Sequence, residues 1–377
     1  MLALFAVPFV DELASGVAPA AAPDIAIDLA LPAALTAGGI ITAFYGLVWI
    51  EAPLLAWSER VSVRWFSAGA LAVLAISTLG SAFAHGPIAL AVCLALYGPA
   101  AGCSLAAAEG VLVESSPTSR ERTMARVTLA AALGDLAVPV LLGAFALVGL
   151  GWRETFLVGG LVAAVLAITH ACSPALDRAL PEDQDDDEDE RGTLRDALKT
   201  ALRTPALLGW SFAGVLNGLL DEVLVAFAAV HLSESSALAR SIALASWIGG
   251  GLVGLAWLER RIDRVSLRRV LLVTTTISAI ALAAFACTRD AVLAPVLLAV
   301  VGATSSTFHP LVKARAYASL PGRPALVNAV AGALVPLDAI APLMLGAIAL
   351  RFGASAAVAV LVIAPVGVGM MAWRARE

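Results

Sequence analysis

Apolar residues in this chain fall into twelve blocks separated by proline, glycine and charged residues. Six lie near residues 3–22, 34–57, 66–84, 87–112, 125–150 and 154–172, and six near 206–230, 238–258, 267–287, 290–312, 326–350 and 353–373. Each block has roughly the 20 residues that a helix needs to cross about 30 Å of hydrocarbon. The blocks are rich in Leu, Ala and Gly without alternation, which argues against the strands of a membrane barrel. In lipid a helix also satisfies its own backbone, for which no water is at hand. The pattern predicts an all-α membrane protein of twelve transmembrane helices. These form two pseudo-symmetric six-helix bundles, 1–172 and 206–377, joined by a polar linker, 173–205.

Composition agrees: 60% of the 377 residues are hydrophobic and 14% are charged, against about 25% charged in soluble domains. Much of the net charge of -5 comes from seven acids between Asp183 and Glu190. That run reads as a solvated tether, followed by a surface helix over Thr193–Arg203. Cys93, Cys103, Cys172 and Cys287 lie in apolar blocks without metal-type spacing and read as small core residues. Trp57, Trp65, Trp152, Trp257 and Trp373 fall at expected membrane interfaces. The first block carries two acids and no basic start, so it is not expected to be cleaved as a signal peptide. No cofactor or metal motif, no enzyme nucleophile set and no basic face for nucleic acid stands out.

Basic residues orient the spans. Twenty of the 24 Lys and Arg lie in the loops and tail on the side of the two termini, leaving only Arg153, Arg240, Arg289 and Arg351 opposite. This bias puts both termini in the cytoplasm and makes the linker cytoplasmic. The expected location is the plasma membrane, and the expected state a monomer.

The halves repeat one another. Asp11-Glu12 returns as Asp221-Glu222, and Leu-Ala-Trp-Ser-Glu-Arg at 55–60 returns as Leu-Ala-Trp-Leu-Glu-Arg at 255–260. Asp135, Pro139 and Gly143 return as Asp338, Pro342 and Gly346. Internal symmetry of this kind is a mark of secondary transporters.

With its six-plus-six plan, charged turns after spans 2 and 8, and Gly151-Trp152-Arg153 between spans 5 and 6, the chain resembles the major facilitator superfamily over nearly its whole length. The family's Gly-x-x-x-Asp-Arg-x-Gly-Arg-Arg turn is matched in part by Glu59, Arg60 and Arg64. The resemblance implies a cytoplasmic latch at these residues, and at Glu259, Arg260 and Arg264 in the second half. It also implies that spans 5 and 11, with Asp135 and Asp338, meet between the halves. Two features depart from the family: span 4 (Leu94 to Ala100) carries no arginine, and the glycine-rich pattern of span 5 is reduced to Gly134, Pro139 and Gly143.

Asp11, Glu12, Asp135, Asp221, Glu222 and Asp338 fall near mid-span, where no Lys or Arg is found. Such acids are expensive in a bilayer and mark function. They cannot all be ionised side by side, so each is protonated, hydrogen-bonded, wetted or neutralised by a cation. Adjacent helical residues diverge by about 100°, so one member of each pair faces a central cleft and the other a neighbouring helix. Asn217 and Asn328 are candidate solute ligands, and Glu109 with His309, at equivalent places in the repeat, a candidate proton pair. Static helix–helix hydrogen bonds are the competing reading for all of these. Glu51 and Glu114 read as helix-end contacts near the surface.

The sum predicts a secondary active transporter working by alternating access, with partners limited to a small solute, protons and the lipid bilayer. The base-free interior favours export of a cationic or drug-like solute. The alternatives are proton-linked import of a neutral polar solute such as a sugar, and a non-transporting receptor or lipid-handling protein.

Overall fold

The computed structural model describes residues 2–58, 60–114, 120–176, 203–261, 264–320, 327 and 330–375. Among the described residues, twelve helices are long and apolar enough to span a membrane. They are α1 (Leu2–Ala20), α2 (Ala33–Ile50), α3 (Val63–Ala82), α4 (Pro87–Leu112), α5 (Arg126–Leu147) and α6 (Trp152–Ala171), then α7 (Pro205–His231), α8 (Ala237–Arg261), α9 (Leu267–Ala286), α10 (Leu293–Ser319), α11 (Val330–Phe352) and α12 (Ala354–Arg374).

Most edges agree with the hydropathy blocks to within a few residues, and two differ more. The second block was expected to run unbroken to residue 57. Its helix instead stops at Phe44, passes through a 3₁₀ turn at Val48–Ile50 and resumes as Glu51–Ser58. The helix of α10 continues to Ser319, past Lys313 and Arg315, because long basic side chains can lay their stems on apolar surface while the charge stays in water. Most of the acidic linker, including 193–202, lies outside the described residues, as do Glu59 and Asn328.

The chain forms two compact units, Met1–Leu31 with Gly39–Asp186, and Pro32–Gly38 with Asp187–Glu377. In the first, α3 packs against α6 and α4, and α1 against α4, α5 and α6. In the second, α8 packs against α10, α9 against α10 and α12, and α7 against α10 and α12. The pairings of α3 with α4 and α6, and of α1 with α4 and α6, thus recur as those of α9 with α10 and α12, and of α7 with α10 and α12.

The close α8–α10 contact has a local cause. A Cβ at Gly250 or Gly254 would strike the carbonyl of Ala299 or Ala303, and one at Gly302 that of Trp247. Only glycine lets these backbones approach, as small residues do at helix interfaces in lipid.

Polar staples close each unit. Arg64 Nε donates to the Ala171 carbonyl at the end of α6, 2.7 Å. Arg268 does the same for α12, reaching the carbonyls of Ala372 (3.2 Å) and Trp373 (3.0 Å). A cation suits the last turn of a helix, where carbonyls lack intrahelical partners. Arg64 and Arg268 are each the second residue of their helix, so the structural counterpart of Arg64 is Arg268 and not Arg264.

Two buried histidines work in the same way. His170 contacts Ser67 Oγ through Nδ1 (2.9 Å) and the Ala3 carbonyl through Nε2 (3.3 Å), joining α6 to α3 and α1. His231 places Nε2 on the carbonyls of Phe285 (3.1 Å) and Thr288 (2.8 Å), and Nδ1 by Ser355 Oγ (3.3 Å). A carbonyl can only accept, so Nε2 carries the proton in both rings.

In the first turn of α6, Arg153 pairs with Asp28 (3.0 Å) and donates to the carbonyls of Ala82 (2.7 Å) and Ala84 (2.9 Å). Trp152, at the start of α6, is buried beside Phe156. The cysteines also divide: Cys103 is buried and Cys93 half-buried, but Cys172 and Cys287, just past the ends of α6 and α9, are exposed and so not core residues. All four are free thiols.

Candidate functional site

In the first unit the acids gather on α1 and around α4. Asp11 is half-buried on the α1 face turned to α4. Tyr97 Oη of α4 donates to Asp11 Oδ1 and lies 2.7 Å from the Asp11 carbonyl oxygen. Tyr97 is 6% exposed, and its ring meets Phe44 of α2 edge-on with centroids 5.3 Å apart.

Glu12 points elsewhere, as the angle between adjacent helical residues requires. Its Cβ lies 3.0 Å from where a Cβ on Gly134 of α5 would stand. Ser15 Oγ is 3.3 Å from the Glu12 carbonyl and 3.4 Å from its Oε2. Gly134 is needed here, because any side chain would also strike the Phe9 carbonyl. Its neighbour Asp135 is half-buried.

Glu51 is the surprise. It was read as a helix-end contact near the surface, yet its carboxylate occupies the space where a Gly102 side chain would be. Glu51 and Glu109 both act electrostatically on Asp11. The repeat pairs Glu51 with Gly251 and Gly102 with Gly302. In the second unit that slot is filled by backbone, with Gly251 N 3.1 Å from a Cβ placed on Gly302. The first unit fills it with an acid.

In the second unit the backbone itself departs from the repeat. Helix α7 stops at Gly218 and restarts at Glu222. Asp221 sits in the break with φ −113° and ψ −126°, outside the helical region. Leu220 N donates to the Asn217 carbonyl (2.8 Å) and Asp221 N to that of Gly218 (3.3 Å). Asn, Gly and Asp so close together weaken a helix, through glycine's entropy and the competition of short polar side chains with the backbone. Unwound backbone at membrane depth is tolerated where it is buried in protein or lines water.

Asp221 is exposed, whereas Asn217 and Glu222 are half-buried. Asp338, in the first turn of the Val335–Phe352 helix, brings Oδ1 within 3.7 Å of where a Gly218 Cβ would stand. Asp338 and the α7 break are therefore neighbours within this unit. The α1 helix, by contrast, runs unbroken through Asp11 and Glu12 to Ser15.

His309 is exposed and follows the Ser306–Thr307 break in α10. Arg60, Glu259, Arg260 and Arg264 are exposed at helix ends. Arg240, counted among the basic residues opposite the termini, lies in the first turn of α8 and is 5% exposed.

Sequence reasoning missed Tyr97 and Glu51. Both left a signal: a mid-span phenol needs a polar partner, and Glu51 stands where the repeat has glycine.

Comparison with known proteins bears on the fold. The family description "Major Facilitator Superfamily" matches residues 1–262. No curated protein sequence matches the chain. Among solved structures, a bacterial homologue of the human lysosomal transporter Spinster, inward-facing and unoccupied, superposes with TM-score 0.74 at 15% identity, covering 99% of this chain and 94% of that one. The nucleoside transporter NupG gives 0.74 at 12% identity, covering 100% and 99%. The human organic anion transporter MFSD10 gives 0.63 at 17% identity, covering 98% of both. Twelve apolar helices, an internal repeat expressed as common packing and a family match over more than half the chain lead to one conclusion: this is a multi-pass integral membrane protein that belongs to the major facilitator superfamily of transporters.

Proposed function

We propose that the chain is a secondary active transporter that exports a small cationic or drug-like solute by alternating access, coupled to protons. One observation carries this reading: Asp11, Glu12, Asp135, Asp221, Glu222 and Asp338 stand near mid-span, where the chain has no Lys or Arg. Acids that cannot all be ionised together are groups that can trade a proton for a cation. An organic anion would be repelled by the same set. The α7 break adds exposed Asp221 beside unwound backbone, an arrangement transporters use to hold ions.

Asn217, one turn before Asp221, favours a second reading, a neutral polar solute imported with protons. In either case Arg60, Arg64, Glu259, Arg260 and Arg264, with Glu59, serve a cytoplasmic latch. Both termini face the cytoplasm across the plasma membrane, and the working unit is the monomer.

The test is flux in proteoliposomes under an imposed pH gradient, with tetraphenylphosphonium as the cationic probe and glucose as the neutral one. Wild-type protein should move the cation against the proton gradient, and Asp→Asn at positions 11, 135, 221 and 338 should abolish or reduce that flux. Gradient-driven movement of glucose alone would overturn the cation reading. Wild-type flux in all four variants would overturn coupling.

A further inference from the structure

Tyr97 Oη is within hydrogen-bond reach of two oxygens of a single residue, Asp11 Oδ1 and the Asp11 carbonyl. One hydroxyl proton cannot fully serve both. We propose that Tyr97 is the positioning residue of Asp11, a hydroxyl that partners this carboxyl in both of its protonation states without movement of either helix. The inference rests on the proton-coupled reading and deepens it.

When Asp11 is ionised, the Tyr97 O–H donates to Oδ1, and a hydrogen bond to a charged acceptor is among the strong ones. When a proton binds Oδ1, the new carboxyl O–H donates to Tyr97 Oη. The tyrosine proton then turns to the Asp11 carbonyl, 2.7 Å away, which accepts in either state. One proton enters, none leaves the tyrosine, and every donor keeps an acceptor. In a buried site that continuity matters, because an unsatisfied polar group costs more than a made bond returns.

The surroundings hold the heavy atoms still. Tyr97 is buried and its ring packs edge-on to Phe44. The next residue, Gly98, has no side chain, and one there would strike the Phe44 carbonyl. Helices α2 and α4 thus approach closely at the level of the phenol.

Among the described residues, the charged and titratable groups that act on Asp11 are Tyr97 and acids. Glu12 follows it on α1 and faces α5, where Asp135 adjoins Gly134, while Glu51 and Glu109 act on it from the α2 end and from α4. The repeat places Leu297 where α4 has Tyr97. The device therefore belongs to the first unit alone, matching the unbroken α1 and the broken α7.

The experiment is a pH titration of the full chain in lipid nanodiscs by difference infrared spectroscopy. Wild type, Asp11→Asn and Tyr97→Phe are compared; phenylalanine keeps the ring against Phe44. The protonated-carboxyl C=O band that Asp11→Asn removes is the Asp11 signal. In Tyr97→Phe its midpoint should move up by about one pH unit, the difference between losing a hydrogen bond to the charged carboxylate and losing the weaker one made by the neutral acid. Its C=O stretch should also rise, because the protonated acid loses its acceptor.

Replacing the protein's three tyrosines with 3-fluorotyrosine, a more acidic donor of nearly the same size, should move the midpoint down. That arm stands even if Tyr97→Phe fails to fold. An Asp11 band with the same midpoint and position in all forms overturns the role of Tyr97 while leaving proton coupling intact. Absence of any band sensitive to Asp11→Asn shows that Asp11 does not titrate and overturns the role of Tyr97, while coupling is decided separately by the flux of the four Asp→Asn variants.

Discussion

Neighbouring glycines on α8 should respond to the same substitution with opposite sign. At Gly249 a new Cβ meets nothing within 4 Å, whereas at Gly250 it runs into the Ala299 carbonyl, with Ala299 C at 2.8 Å and Cα at 3.0 Å. Gly→Ala in a helix interior gains about 0.5–1 kcal/mol of backbone entropy at either position. That term cancels when the two variants are compared, leaving the steric one. Backbone cannot rotate away as a side chain can, so α8 and α10 must part, and overpacking of this kind costs about 1–3 kcal/mol. For a unit of 150–250 residues, roughly 2–4 °C per kcal/mol separates the variants by about 2–12 °C. Thermal unfolding followed by tryptophan fluorescence in one detergent would measure it. Gly249→Ala should unfold at or above the wild-type temperature and Gly250→Ala below it. If both move together, the close α8–α10 contact is not what the glycines serve.

Two further outcomes follow from exposed groups. Asp290, in front of α10, accepts hydrogen bonds from Leu293 N (2.8 Å) and Val292 N (2.9 Å), which hold its carboxyl below the usual carboxylate range. A depressed folded value means the stabilisation is present above about pH 4, the unfolded value, and is lost as pH falls through the folded one. The unfolding-temperature gap between wild type and Asp290→Ala should accordingly shrink on acidification from about pH 7 to about pH 3, and a constant gap would refute the cap. The exposed thiols of Cys172 and Cys287 lie on opposite faces if both termini are cytoplasmic. In single-cysteine variants on intact cells, an impermeant maleimide should label Cys287 at once and Cys172 only after permeabilisation; the reverse pattern would invert the orientation.

The twelve spans and the two-fold repeat could be read from the chain because both follow from residue order. Lipid leaves a helix no alternative for its backbone, so about 20 apolar residues in a row are enough to define one. The same holds for the Asp11-Glu12 and Asp221-Glu222 pairs, whose equivalence is written in their flanking residues. Direction and company were not legible. Asp11 turns to Tyr97 and Glu12 to Gly134 because of where α4 and α5 lie, and helical phase alone says only that the two diverge. The insertion of Glu51 against Gly102, and the capping of the last helix by Arg268, likewise required knowing which helix ends meet.

Nor does the repeat reveal where its two copies part. Asp11 lies in an unbroken helix and Asp221 in a break, though their local sequences are alike. The two copies differ at nearby residues that the alignment of acids ignores: Asn217 and Gly218 stand where the first half has Val7 and Pro8. Hydropathy counts such residues only as more or less apolar. Packing decides instead whether the carboxylate is held by a phenol or left beside open backbone, because in lipid each polar atom must find its partner within the protein.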